Sequence, residues 1–577
     1  MVSRRHFIKA ASVAALALRG SPLAVAFASG VSADGVRVNT LIPNPNAGTA
    51  AGALRCINVV NFIRLVESRF PMDMLQPVRE QMALVRHHGL PATWLLQFDA
   101  LVDGPFTGFL KQHMADNHEV GFWFEMNQKL CAAAGLPWRG RPDYEWDPDP
   151  TVAFTIGYTP DERIRLADTA MKAFHSIWGR HPRSVASWNL DALVVQHLAD
   201  RYGVDAFAVC RDQIATDGFT IWGAPIAGYY PSRINAWSPA LNGANQVNAP
   251  VFRMLGQDPV YYYTKQWRLP DGTALQQPDT VEPVWVSGRS TTFVDAFLAM
   301  LAKGPSLGFA YAQLGQENTF PWDQQAQAYP MQMAKLATLR DEGAVHVETM
   351  ESSGRRFKQA FRQTPAQAQV QLADPFGNTD PVQRSIWYQS RFYRANLHLR
   401  GNIPFLRDIT VYSDLFAQPF LHEPTRQKTV EQKMLAVVDG YHWSPRPGAA
   451  EDDATGGYFH VDGEPLVLTG MPTISESGQS LVVTMAVGAG RVLRLRFDEQ
   501  AITCELSPRD GARLEISFKW DPEKAALKDV TAASAVYRWQ AFDYRVDVRQ
   551  GRATRTPVGW KVSGERTPIV LGLAQRA

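Results

Sequence analysis

Asn117-His118-Glu119-Val120-Gly121-Phe122-Trp123-Phe124-Glu125 decides how the first half of the chain is read. Residues 119–124 make a short, largely apolar run, the kind buried on both faces as a central parallel strand. Glu125 stands where the run stops. In a barrel of parallel strands, the residue leaving a strand's carboxyl end points into the active-site mouth. The same pattern should therefore recur along the chain.

It recurs on both sides. Upstream, 57–64 is strand-like and ends at Arg64. The spacing of Leu75, Val78, Met82 and Val85 predicts a helix over 74–88, stopped by Gly89. Residues 92–96 form the next strand, ending at Gln97 and Asp99, and 106–114 is a short helix. Downstream, 131–158 is long and irregular, with Trp138, Arg139, Arg141, Tyr144 and Trp146, and loops of that length are usually functional. Thr159 caps a helix with Pro160 in its first turn. Residues 184–191 read as a strand delivering Trp188, Asn189 and Asp191, and 206–210 as one delivering Asp212 and Gln213. The stretch 216–248, with Trp222, Tyr230 and Arg233, reads as a lid or wall over the site. Strand 251–255 leads to Asp258, and strand 307–314 ends in Gln316, Glu317 and Asn318.

Strand followed by helix, about seven times over 51–360, predicts a parallel sheet with helices outside it. Right-handed crossovers close it into an α/β barrel of the (β/α)7 type. An open doubly wound sheet is disfavoured, since no GxGxxG follows the first strand. From 361 to 577 helical periodicity fades and short alternating runs appear at 481–487, 492–497, 501–506, 513–520, 537–546 and 569–573. These predict an all-β sandwich domain.

The remaining features bound the function. The chain has 577 residues, 45% apolar and 20% charged, with a net charge of +2, so no surface for nucleic acid is implied. Its four cysteines show no CxxC spacing, which suggests neither a disulfide framework nor a zinc site. Ser3-Arg4-Arg5-His6-Phe7-Ile8-Lys9, then a modestly apolar stretch and Ala26-Phe27-Ala28, resembles a twin-arginine export signal over 1–28, with 29–50 as linker. No later run is long enough to span a bilayer. The expected location is the periplasm, or outside the cell, after passage through the twin-arginine export machinery.

Strand ends rich in carboxylates, beside many aromatic residues, suit glycoside hydrolysis. One carboxylic acid protonates the leaving oxygen, and a second carboxylate attacks the anomeric carbon or activates water. Glu125, Asp191 and Glu317 are the candidate catalytic groups, with Glu125 as acid. Arg64, Trp123, Trp188, Asn189, Asp212, Gln213, Trp222, Tyr230, Arg233, Asp258, Gln316 and Asn318 are the candidate contacts to an oligosaccharide or polysaccharide. Plainer readings stand beside these: Glu125 as a strand-end partner of Arg139 or Arg141, and Asp191 as the cap of the next helix.

The segments HGLPATWLLQFDALV (88–102), NHEVGFWFE (117–125) and VASWNLDALVVQHLADRYGVDAFAVCRDQ (185–213) resemble the polysaccharide deacetylase-like (NodB-homology) and glycoside hydrolase/deacetylase-like barrels. That resemblance implies a seven-stranded barrel acting on glycans. In the metal-dependent deacetylases, the first strand ends in paired Asp and the third carries two His. Here those strands give Asn61 and Arg64, then Trp123 and Glu125. The reading is therefore a glycosidase with no metal and no cofactor. A metal-dependent deacetylase with an atypical site and a non-catalytic glycan-binding protein are the alternatives.

Overall fold

The computed structural model describes residues 52–66, 71–142, 144–216, 218–254, 280–373, 382–444, 455–524, 527–565 and 567–575. The export signal, the linker and Asp258 lie outside the described residues.

The first half is built on β1 (Leu54–Ile63), β2 (Thr93–Leu96), β3 (Glu119–Trp123), β4 (Ser184–Ala186), β5 (Ala206–Cys210), β6 (Gly228–Tyr229), β7 (Val251–Met254), β8 (Phe309–Leu314) and β9 (His346–Glu348). The sheet order is β8-β1-β2-β3-β4-β5-β7-β6, with β9 beside the first half of β1. Only β6 runs antiparallel to its neighbour. Strands β2, β3 and β8 are buried along their whole length, because side chains fill the inside and helices cover the outside. The seam between β7 and β8 closes through rings: Phe252 stacks on Tyr311 at 4.6 Å and meets Phe309 at 5.9 Å. Apart from the antiparallel β6 and the short β9, seven parallel strands remain, the expected α/β barrel.

Local signals explain the outer helices. Thr159 and Glu162 form a capping box at the start of Pro160–Trp178, and Gly179 ends that helix at φ +70°. Two expectations change. Strand β4 stops at Ala186, and the chain turns so that Asp191 can cap the helix Ala192–Tyr202. The 216–248 stretch is not a lid. Phe219–Trp222 pairs with Val430–Lys433 of the second domain, and Tyr230 Oη donates to the Phe361 carbonyl at 2.8 Å, so the segment is wedged between the two halves.

The barrel's last helix ends at Ala360. The second domain begins with β10 (Gln367–Gln371), β11 (Gln383–Gln389), β12 (Tyr393–Arg400) and β13 (Ile403–Val411), an antiparallel run within a ten-stranded sheet. An eight-stranded antiparallel sheet packs against it, with Tyr388 stacked on Phe497 at 5.7 Å. This is the expected β-sandwich, with earlier strands than the sequence suggested. The run 537–546 is a hairpin of Ser534–Trp539 and Phe542–Gln550, turning at Gln540 and Ala541, both at positive φ.

At the amino end of the barrel, Glu119 is buried and accepts from Ser184 Oγ (2.6 Å), Thr93 Oγ1 (3.2 Å) and the Glu351 N–H (3.0 Å). Burial pushes its carboxyl up to about 7. A folded-state pKa raised above the unfolded value gives stability that is full at low pH and lost as pH rises through the folded pKa. The stability difference between the wild type and Glu119→Gln should therefore shift against the wild type between roughly pH 4 and 7 and level off above that. Urea unfolding across pH checks this, and a difference independent of pH contradicts it.

Candidate active site

Four neighbouring strand ends, those of β8, β1, β2 and β3, build one polar cluster. Gly315 lets β8 reach it. Its φ is +123°, and a Cβ there would lie 2.0 Å from the Val60 carbonyl oxygen, so only glycine lets the chain cross β1 at this point. Beyond it, Gln316 N–H donates to Asn61 Oδ1 at 3.1 Å. Asn318 exchanges both amide bonds with the main chain of Arg64, at 2.9 and 2.8 Å. These bonds fix Glu317 and Arg64 side by side.

Arg64 stands between two carboxylates. Its Nη2 donates to Glu125 Oε2 at 2.7 Å and its Nη1 to Glu317 Oε2 at 3.2 Å. All three side chains are at most 3% exposed. Gln97 also donates to Glu125 Oε2 at 3.3 Å, and the Trp146 ring covers the guanidinium at 4.2 Å. Burial pushes the Glu125 carboxyl above the usual carboxylate range; Arg64 and the Trp123 indole pull it back, and Glu317 adds to the rise. The two carboxylates share this guanidinium, so each competes with the other for its charge.

Beside the triad lie buried polar atoms without a partner among the described residues: Glu125 Oε1, Gln97 Oε1, Asn127 Nδ2 and Trp146 Nε1. Buried polar atoms are rarely left so, and a set of donors and acceptors at one strand-end face is what a polar ligand would satisfy. Asp99 next to them is committed to the main chain. It accepts from the N–H groups of Leu65, Val66 and Ala100, while burial pushes its carboxyl to about 6.

No family model matches the chain, and no curated protein matches it. Solved structures do. The chain is similar to a protein from Parabacteroides distasonis assigned as a glycoside hydrolase/deacetylase, at 15% identity over 67% of this chain and 90% of that one, with a TM-score of 0.49. It is also similar to proteins assigned as polysaccharide deacetylases from Mycobacterium smegmatis (12% identity, 55% and 94% covered, TM-score 0.34) and Pseudomonas aeruginosa PAO1 (11%, 53% and 91%, TM-score 0.33). The likeness is one of fold.

A divalent metal has no fitting set of donors among the described residues. At the ends of β1 and β3 stand Asn61, Arg64, Trp123 and Glu125, and a guanidinium already lies between the carboxylates. Among the described residues no three His, Cys, Asp or Glu side chains converge to hold a metal ion.

The other half of the mouth, beyond β4 and β5, is covered by the second domain. Asn189 Nδ2 donates to Gln432 Oε1 at 3.0 Å, and Gln418 Oε1 accepts from the N–H groups of Ala192 and Ala236. Asp191 lies there too. Its Oδ1 caps the helix through Leu193 and Val194 and faces Arg163 at 3.4 Å, so its geometry matches the plainer cap reading. Asp212 binds Arg394 at 2.7 Å and Arg253 at 3.3 Å, and so ties the domains together. Gln213 is a buried residue of the strand Gln213–Thr216. Trp222 packs on Tyr441 and His442 of the second domain. Tyr230 is buried on the Phe357 ring, and Arg233 pairs with Asp200 on an outer helix. None of these joins the triad.

Trp123 and Trp188 lie beside it with Phe62, which stacks on Trp123 at 4.0 Å, while Trp188 meets both rings edge-on at 5.1 and 5.4 Å. They form an apolar floor. Gln316 is held by Glu282 and the Val284 N–H at the rim. Sequence reasoning did not single out Asn127 and Trp146 as site residues. Asn127 lies two residues past Glu125 and also caps the helix Gln128–Ala133, a signal that hides its free amide.

Proposed function

We propose that the protein is an exported carbohydrate-active hydrolase that cleaves glycosidic bonds with Glu125 and Glu317. The carrying observation is the buried Arg64 guanidinium that holds both carboxylates, one from the end of β3 and one from the end of β8. Glu125, raised by burial, is the general acid and gives its proton to the glycosidic oxygen. Glu317 acts on the anomeric side as nucleophile or base. Arg64 keeps the two in fixed relation and stabilises the carboxylate left after proton transfer. The unpartnered atoms of Gln97, Asn127 and Trp146 suit sugar hydroxyls, which both donate and accept.

Incubation of the mature protein with bacterial and plant glycans, following reducing ends and acetate together, tests this. New reducing ends, at a rate unchanged by chelator, are expected. Acetate release without new reducing ends would replace the glycosidase with a deacetylase.

The export reading rests on Arg4-Arg5 and the residues around them. Replacing both arginines by lysine should keep the full-length protein in the cytoplasm, as cell fractionation would show. An unchanged periplasmic yield would remove the twin-arginine route.

A further inference from the structure

Between β3 and the helix Pro160–Trp178, the chain holds one aromatic ring at the surface beside the triad. Gln128 N–H donates to the Glu145 carbonyl at 2.7 Å, which pins this stretch next to the end of β3. Arg139 Nη1 donates to the Gly157 carbonyl at 3.0 Å, and Trp138 Nε1 to the Arg141 carbonyl at 3.2 Å. The Trp138 ring folds back over Gly140, where a Cβ would lie 2.3 Å from it. Trp146, half-buried, then lies over the Arg64 guanidinium at 4.2 Å.

Tyr144 stands two residues before Trp146 and, at 36%, is the most exposed aromatic side chain among the described residues. A lone exposed ring needs no explanation by itself. This one, however, is held in place. The Arg141 guanidinium lies against one face, 3.8 Å from the ring centroid. Arg141 is fixed in turn, since its Nε and its main-chain N–H donate to Asp147 Oδ2 at 2.7 and 3.3 Å, and Asp147 is buried. Tyr144 N–H donates to the Arg141 carbonyl at 3.2 Å and closes the turn. Among the described residues no second ring or cation covers the other face.

Residues two apart are separated by at most about 7 Å at Cα, so Tyr144 begins just outside the ring that covers Arg64. Arg141 Nη2 and Trp146 Nε1, on either side of it in the chain, are buried donors without a partner among the described residues. A flat apolar ring beside hydrogen-bond donors suits a sugar, which has an apolar face and a rim of oxygens. Fixing the ring in advance lowers the ordering cost of binding. On the glycosidase reading of the triad, on which this inference rests, we propose that Tyr144 is the platform for the glycosyl unit next to the one at Glu125 and Glu317. The substrate class is then a glycan chain, not a glycoside of a single sugar.

The test uses the full-length Glu125→Gln/Glu317→Gln protein, in which the triad cannot turn a sugar over. β-1,4-linked hexasaccharides of glucose, N-acetylglucosamine, mannose and xylose, and the α-1,4-linked hexasaccharide of galacturonate, are titrated by calorimetry beside their monosaccharides. At least one hexasaccharide should bind about tenfold or more tighter than its monosaccharide. Tyr144→Ala should remove about tenfold of that affinity, while Tyr144→Phe, which keeps the ring, should stay within about threefold. Equal affinity of the two variants, no preference for chains over single sugars, or no binding at all would overturn the platform. The glycosidase reading is judged separately, by reducing ends from the wild type. Turnover there with binding indifferent to Tyr144→Ala overturns the platform alone. Tyr144-dependent binding without turnover supports the platform and overturns the glycosidase alone.

Discussion

Glu125→Gln in the full-length protein is expected to lower kcat on a cleaved glycan by about 10²–10⁴-fold, and Glu317→Gln by at least as much. The amide keeps the shape of each side chain but cannot carry the proton or attack. Both groups are buried against Arg64; replacing the proton-carrying acid Glu125 leaves the charge of the triad unchanged, whereas replacing the nucleophile or base Glu317 removes a charge from it. Arg64→Met separates the roles. It removes the cation that pulls Glu125 down and leaves burial and Glu317 pushing it up. A general acid must be protonated, so activity falls as pH rises through its pKa. The alkaline limb of the kcat/KM profile should therefore move to higher pH in Arg64→Met. A profile that keeps its shape and only loses height would assign the triad to structure, not catalysis.

The triad could be assembled from sequence only in part. Glu125 and Glu317 were legible because each follows an apolar run that reads as a buried strand, and a polar group placed there faces the mouth of the barrel. That they share Arg64 was not legible, since the pairing depends on β8 lying beside β1 across 253 residues of chain. Asp191 and Asp212 satisfied the same strand-end rule, yet the mouth beside them is covered by the second domain. Nothing in residues 184–213 announces that cover; it comes from Gln418, Gln432 and Arg394, far downstream.

The first strands of the second domain were missed for a related reason. QAQVQ alternates glutamine with apolar residues, a pattern that looks like a strand with one face in water, and QRSIWYQ begins and ends on glutamine. In the fold the glutamine face is buried against the barrel, where Gln367 both donates to and accepts from the main chain of Gly228. A polar face matched to a neighbouring domain cannot be told by pattern from a polar face matched to solvent. The later strands, such as Ser480–Val487 and Arg491–Asp498, keep polar groups outward and were legible at once.

The interface built on that face should depend on one residue. Arg394 forks onto Asp408 at 3.1 and 2.8 Å and reaches Asp212 and the Ala224 carbonyl, each at 2.7 Å, with its side chain 1% exposed. Arg394→Met would keep much of the packing against Trp222 and Trp387 but leave two buried carboxylates without their shared cation. Breaking a buried pair in this way costs about 3–5 kcal/mol, and urea unfolding should show a loss of that order at pH 8. Asp408 is already pushed up to about 6 by burial, with Arg394 opposing the rise. Without the arginine it rises further, so the loss should shrink as pH falls toward 5 and the carboxyl takes a proton. Asp408→Asn added to Arg394→Met should recover part of the stability at pH 8 and flatten the pH dependence. A single variant equally stable at pH 5 and pH 8 would place the strength of the interface in its glutamine bonds to the main chain instead of in its buried charges.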